Sequence, residues 1–269
     1  MDDKTVILTT VNEAFAAPNS LLDLFLESFR IGEGIEHLLD RLIVVAMDLK
    51  AFDRCTSVHP HCFFHRINGT DFTSEKVFMT RDYIEIVWSK IRLQRRILEL
   101  GYNFLFTVRV LFLWFRDPRR HISIDADLTT ASDRFFGNPD SLRNWPNTGL
   151  FYVKSTEKTV AMLRKWDEAR AQFPPNHEQN VFDRIKGELV GWLGVKIRFV
   201  DTAFWGGFCE YGNDLNKICT MHANCCVILW KKLQDLRGIL EEWKKFTSLS
   251  PEEKRRGIVT WWVPGSCIR

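Results

Sequence analysis

Leu42-Ile-Val-Val-Ala-Met-Asp48 is an uninterrupted apolar run that closes on an acid. A strand with one wet face alternates apolar and polar residues; a run apolar at every position fits a strand covered on both faces, as in a parallel sheet. Working outward, Thr5-Val-Ile-Leu-Thr-Thr10 opens the chain as a β-rich run, and Cys62-Phe-Phe64 follows as the next strand. Phe104 to Phe115 reads as one strand ended by Asp117-Pro118, Asn147-Thr-Gly-Leu-Phe-Tyr-Val-Lys154 as a turn feeding a strand, and Lys196-Ile-Arg-Phe-Val-Asp201 as another strand. Helical stripes lie between them. Ser20 to Arg30 is apolar at 21, 22, 25, 26 and 29, and Tyr83 to Leu100 at 84, 87, 88, 91, 97, 98 and 100, stopping at Gly101. Thr156 to Gln172 is a helix broken by Pro174-Pro175, and His177 to Leu189 and Val227 to Phe246 are two more. Ser250-Pro251-Glu252-Glu253 sets an N-cap, an N1 proline and an acidic first turn in order. Strands alternating with helices predict an α/β fold: one domain over residues 1–269, with a mainly parallel central sheet covered by helices on both faces. Ligands in such sheets bind at the carboxyl ends of the strands.

Composition narrows the function. The 269 residues are 45% hydrophobic, enough for a sizeable core, and a net charge of +3 with both signs interspersed argues against nucleic acid as a partner. Most of the 10 Trp and 21 Phe belong in the core, although sugar-binding proteins also use aromatic faces. No apolar run approaches the roughly 20 residues of a membrane span; the longest, Phe104 to Phe115, is broken by Arg109. Met1-Asp-Asp-Lys4 is acidic and leads straight into a strand, so no signal peptide is visible; a chain complete as given would be cytoplasmic. The 7 cysteines leave at least one unpaired. Cys55 and Cys62 would pair in an oxidising lumen and stay free thiols in a cytosol. Asn68-Gly-Thr70 is a glycosylation sequon, meaningful only in the secretory pathway.

Four segments carry a resemblance: Gly101-Tyr-Asn-Phe-Leu-Phe-Thr107, Trp114-Phe-Arg-Asp-Pro118, Asp201-Thr-Ala-Phe-Trp-Gly-Gly-Phe-Cys-Glu210 and Cys219-Thr-Met-His-Ala-Asn-Cys-Cys226. From Val6 to Cys267 the chain resembles a plant nucleotide-diphospho-sugar transferase family that includes cell-wall xylosyl- and arabinosyltransferases. The resemblance implies the GT-A fold, a Rossmann-like three-layer sandwich. It implies a nucleotide-diphosphate sugar donor, UDP-linked, a glycan or glycoprotein acceptor in the cell wall pathway, and retention at the anomeric carbon. It also implies a Golgi-lumenal domain behind a membrane anchor that this chain does not carry. The implied cofactor is Mn2+ or Mg2+, held by an acidic pair that bridges the metal to the diphosphate. The family places that pair directly after the segment matching Phe106-Thr107, and here the chain reads Val108-Arg109-Val110. Valine cannot ligate a metal; Arg109 would contact phosphate directly. A non-catalytic, transferase-like partner or regulator of active homologues is therefore the alternative function.

The same resemblance assigns the remaining candidates. Thr9, Thr10 and Asn12 at the first strand's exit would receive the uracil and ribose. Trp88 and Lys90 match a helix face near the donor, Asp133 an acid near the sugar, and Asn147 and Gly149 a turn where backbone approaches the donor, with Thr148 where glycine is common. Glu178 and Gln179 in His177-Glu-Gln-Asn180 would face the anomeric carbon and the sugar, while His222 would complete a metal shell or touch the phosphates. Asp125-Ala-Asp127 spells an acidic pair, but the family carries a similar loop pair in addition to its metal-binding one. Asp125 and Asp127 are thus substitute ligands at best. Two Cys/His clusters raise zinc, Cys219 with His222 and Cys225, and Cys55 with His59, His61, Cys62 and His65; neither matches a usual paired-ligand spacing.

Overall fold

The structure, a computed structural model, describes residues 4–66, 79–256, 259–261 and 265–267. Asn68-Gly-Thr70 lies outside the described residues. The strands are β1 (Thr5–Val11), β2 (Leu42–Ala46), β3 (Cys62–Phe64), β4 (Asn103–Thr107), β5 (Phe112–Trp114), β6 (Leu128–Arg134), β7 (Trp145–Val153), β8 (Ile197–Phe199), β9 (Trp205–Gly207) and β10 (Thr220–His222). The helices are α1 (Glu13–Ala16), α2 (Leu21–Ile31), α3 (Leu49–Val58), α4 (Arg81–Glu99), α5 (Glu157–Ala169), α6 (Glu178–Leu193), α7 (Leu229–Ser248) and α8 (Pro251–Arg255). The main sheet runs β3-β2-β1-β4-β7-β6-β8. β7 is antiparallel to both its neighbours, and every other pairing in that sheet is parallel.

Successive side chains of a strand point to opposite faces, and here both faces are dry. Ile7, Val44, Leu105 and Tyr152 join one core with α2 and α7, while Leu8, Phe104, Phe106, Phe151 and Val153 join a second core with α4, α5 and α6. The result is the helix–sheet–helix sandwich that the alternating pattern predicts. Asp48, the acid closing the Leu42 run, caps α3 by accepting from Ala51 N–H at 2.8 Å and also accepts from Glu13 N–H at 2.7 Å, tying α1 to α3.

One element differs from expectation. Phe104 to Phe115 is not a single strand: β4 ends at Thr107, Val108–Val110 form a tight turn, and β5 pairs with β10 in a second sheet of order β5-β10-β9. The physical cause is at Arg109 and Val110, whose φ angles of 45° and 50° are left-handed and end extension. The Val110 N–H released from the ladder donates to Thr9 Oγ1 at 3.2 Å. β6 is a strand in spite of its polar residues: Thr129, Thr130 and Ser132 are buried in the sheet.

Candidate functional site

Pairing fixes the direction of every strand, so the carboxyl ends of β1, β4, β6 and β8 and the amino end of β7 meet at one edge. That edge bears Thr10, Arg109, Asp133 and Asn147. The second sheet closes it by bringing His222 on β10 opposite Phe112 on β5. Together with the start of α6 and the 223–232 segment, Arg109, Asp133, Asn147 and His222 line a cleft of about 710 Å³.

Asp133 is the hub of this cleft. Its Oδ1 accepts from Asn147 Nδ2 at 2.6 Å and Asn224 Nδ2 at 2.7 Å, and its Oδ2 from Gln179 Nε2 at 2.8 Å. Burial pushes the Asp133 carboxyl above its ordinary range, against the pull of these three amide donors. Each amide is oriented in turn. Asn147 Oδ1 accepts from Gly149 N–H at 2.8 Å and Gln179 Oε1 from Thr148 N–H at 3.0 Å, while Asn224 Oδ1 accepts from Cys209 N–H at 3.2 Å. The disulfide Cys209–Cys225 clamps the segment that presents Asn224. Gly149 is obligatory here: a Cβ would stand 2.6 Å from Asn147 Oδ1 and 2.8 Å from His222 Cε1.

His222 stacks on Phe112 with centroids 4.0 Å apart, and its Nδ1 lies 3.1 Å from Asn147 Nδ2. Asn147 donates, so Nδ1 accepts and Nε2 carries the proton. Burial, followed by the Lys232 and Lys90 charges, holds the imidazole well below its usual pKa; it is neutral and offers one N–H. Beside it, Lys90 and Glu178 form a buried ion pair at 3.2 Å. Burial alone would raise the Glu178 carboxyl, but the Lys90 charge and His177 outweigh it and hold it down to about 2. Burial lowers the Lys90 ammonium against the attraction of Glu178.

The expected residues divide clearly. Lys90, Arg109, Asp133, Asn147, Gly149, Glu178, Gln179 and His222 line the one cleft, and Thr10 and Asn12 line an adjoining pocket that shares Arg109 and Phe15 with it. Thr9 does not reach the cleft: it is fully buried and its hydroxyl holds the β4–β5 turn. Trp88 is core, donating to Asn176 C=O at 3.3 Å. Asp125 and Asp127 precede β6, whereas Asp133 is near its end, roughly 20 Å away at ~3.3 Å per residue. Asp127 is engaged by Lys158 at 3.0 Å and Lys196 N–H at 2.8 Å, and Asp125 is exposed. Neither zinc cluster stands, because Cys55 is disulfide-bonded to Cys62 and Cys225 to Cys209. Sequence reasoning gave no role to Asn224 or to Phe112; the first lay within the quoted Met-His-Ala-Asn segment, and the second carried no signal.

The donor set does not fit the implied Mn2+ or Mg2+. Such an ion takes several oxygen ligands. Where β4 ends, the chain offers Val108, Arg109 and Val110, and both Asp133 oxygens are committed to amide donors. No group of three or more His, Cys, Asp or Glu among the described residues is arranged to hold a metal.

Comparison with known proteins shows the family. A family profile described as nucleotide-diphospho-sugar transferase matches residues 37–236. The chain belongs to that family. It is 41% identical, over 100% of its length and 71% of the relative's, to the uncharacterized protein At4g15970 of Arabidopsis thaliana. It is 36% identical to a second uncharacterized Arabidopsis thaliana protein, At1g28695, over 91% of this chain and 75% of that one. Among solved structures it is similar to a glycosyltransferase involved in glycosylation of the major capsid of PBCV-1 (TM-score 0.48, 10% identity, 87% of this chain and 98% of that one). It is also similar to mouse xyloside xylosyltransferase 1 (TM-score 0.47, 12% identity, 82% and 98%). Membership supports sugar transfer from a nucleotide-diphosphate donor as the general activity, and the mostly parallel seven-stranded sheet flanked by helices is the α/β arrangement that the alternating pattern predicts.

Proposed function

We propose that this chain binds a UDP-linked sugar in the cleft at the strand carboxyl ends and transfers the sugar, with retention, to a glycan or glycoprotein acceptor of the cell wall. The observation that carries the reading is the convergence of Asp133, Asn147, Gln179 and His222, drawn from four separate elements, into one hydrogen-bonded array. Such an array presents fixed polar atoms to a sugar and leaves a single N–H at His222 for an anion. The exposed Val227, Ile228 and Trp230 follow directly on the cleft wall and supply an apolar rim for an acceptor. A Golgi-lumenal location is supported by the three disulfides, which persist in oxidising compartments.

A UDP-release assay with a panel of UDP-sugars, with and without acceptor glycans and manganese, tests the reading. Release with at least one donor, abolished by Asp133→Asn, is the expected result. A second reading has its own observation: Glu178, the acid expected to face the anomeric carbon, is locked against Lys90. If UDP-sugars bind but no donor is turned over under any condition, the chain is a binding partner of active homologues.

A further inference from the structure

We propose that this chain holds the donor diphosphate with its own cations, Arg109 first among them, in place of a divalent metal. The inference rests on the reading of the cleft as a nucleotide-sugar site. It begins with position. Arg109 lines both the crevice of about 10 Å³ beside Thr10 and Asn12, at the end where the family resemblance puts the nucleoside, and the cleft of about 710 Å³ around Asp133. On the donor-site reading, that places it within the cleft on the side where the diphosphate lies.

Backbone strain puts it there. Arg109 and Val110 are consecutive non-glycine residues at φ 45° and 50°. Such conformations are strained and persist only where the surroundings enforce them. Val110 is enforced by burial and by its hydrogen bond to Thr9. The consequence falls on Arg109, which leaves the strand direction for the cleft.

The side chain is arranged for an anion. Its guanidinium carbon lies 4.7 Å from the Tyr83 ring centroid, and Nη2 is buried with no hydrogen-bond partner. A buried guanidinium N–H without an acceptor is costly, and a phosphate oxygen would supply one in the bidentate geometry that suits Arg. The carboxylates nearby do not compete. Glu178 Oε1 is paired with Lys90 and its Oε2 faces His177 Nδ1 at 3.6 Å, while Asp133 accepts from three amides. Lys232 and the His222 Nε2–H line the same cleft and add to its positive side. A metal-holding acidic pair would have brought two negative charges to be neutralised by an ion; this chain brings a fixed positive one instead.

Titration calorimetry on the full chain tests this with UDP, uridine and two metal conditions. UDP affinity is expected to agree within about twofold between excess EDTA and saturating Mn2+. Arg109→Ala should weaken UDP at least tenfold in both conditions and uridine by no more than about threefold, which separates phosphate contact from a structural effect; Arg109→Lys should recover part of the UDP loss. Tightening of UDP by tenfold or more with Mn2+ overturns the inference while leaving the donor site intact. An Arg109→Ala variant that binds UDP as the parent does, or loses UDP and uridine alike, also overturns it. Absence of UDP binding in every condition overturns the donor site itself.

Discussion

Asp133 receives three amide protons and has no second way to be satisfied. In Asp133→Asn one carboxylate oxygen becomes an NH2 that faces other N–H groups, so at least one buried donor loses its acceptor, at about 1–3 kcal/mol. The expected outcome is a thermal midpoint lower by several degrees, at about 2–4 °C per kcal/mol, and a UDP affinity reduced at least tenfold by calorimetry, because Asn147 and Gln179 are no longer held. Glu178 makes a different prediction. Its carboxyl is held down to about 2 from an ordinary 4.5, so between these values the unfolded chain binds more protons than the folded one. Stability from this group is fully present above about 4.5 and is lost as pH falls toward 2, on the order of 3 kcal/mol in all. Lys90→Met leaves the buried carboxylate without its cation and should cost about 3–5 kcal/mol near neutral pH, whereas Lys90→Met with Glu178→Leu should cost far less. Urea unfolding at pH 7 and pH 3.5 reads both effects. Equal losses in the single and double variants would mean that the pair is not the stabilising unit.

Elements explain which parts of the fold were legible in the sequence. β2 was readable because both its faces are buried, which forces every residue to be apolar. β6 was not, because its buried Thr130 and Ser132 hydroxyls donate to the Asn147 and Val200 carbonyls at 3.1 and 3.0 Å, and polar residues so satisfied can be core. The break after β4 was hidden for a related reason: Val108 and Val110 are strong strand formers, and only the tertiary bond to Thr9 reveals that the chain turns there. The cleft itself gathers residues from β6, β7, α6 and β10, which no local pattern joins; the family resemblance grouped them, and it misplaced Thr9, since the acceptor needed by the turn is on that residue. The turn gives an element-scale prediction. Arg109→Ala and Arg109→Gly both remove the guanidinium, but only glycine adopts φ 45° without strain. The glycine variant should be more stable than the alanine variant by about 1 kcal/mol. Both should bind UDP equally weakly. Equal stabilities in denaturant melts would mean that the turn relaxes when the side chain is shortened.

At the scale of the whole molecule, cross-links add to the packing that holds the small second sheet. β5, β9 and β10 are three residues each, yet they carry His222 and shape the cleft wall. Cys209–Cys225 joins the residues after β9 to those after β10, and Cys226–Cys267 ties the next residue to the chain's far end; their sequence separations are 16 and 41. Closing loops of that size removes about 3–4 kcal/mol of unfolded-state entropy each in the chain-entropy account. Cys55–Cys62, with a separation of 7, closes a shorter loop at the edge of the main sheet and should contribute less. Reduction should therefore act unevenly. Dithiothreitol is expected to lower the melting temperature and weaken UDP binding, and the paired substitution Cys209→Ser with Cys225→Ser should reproduce much of that loss of UDP affinity, because Asn224 sits one residue from the bridge and donates to Asp133. Cys55→Ser with Cys62→Ser should lower stability without changing UDP affinity. If the two pairs affect UDP equally, the bridge near the cleft is a general staple and the position of Asn224 does not depend on it.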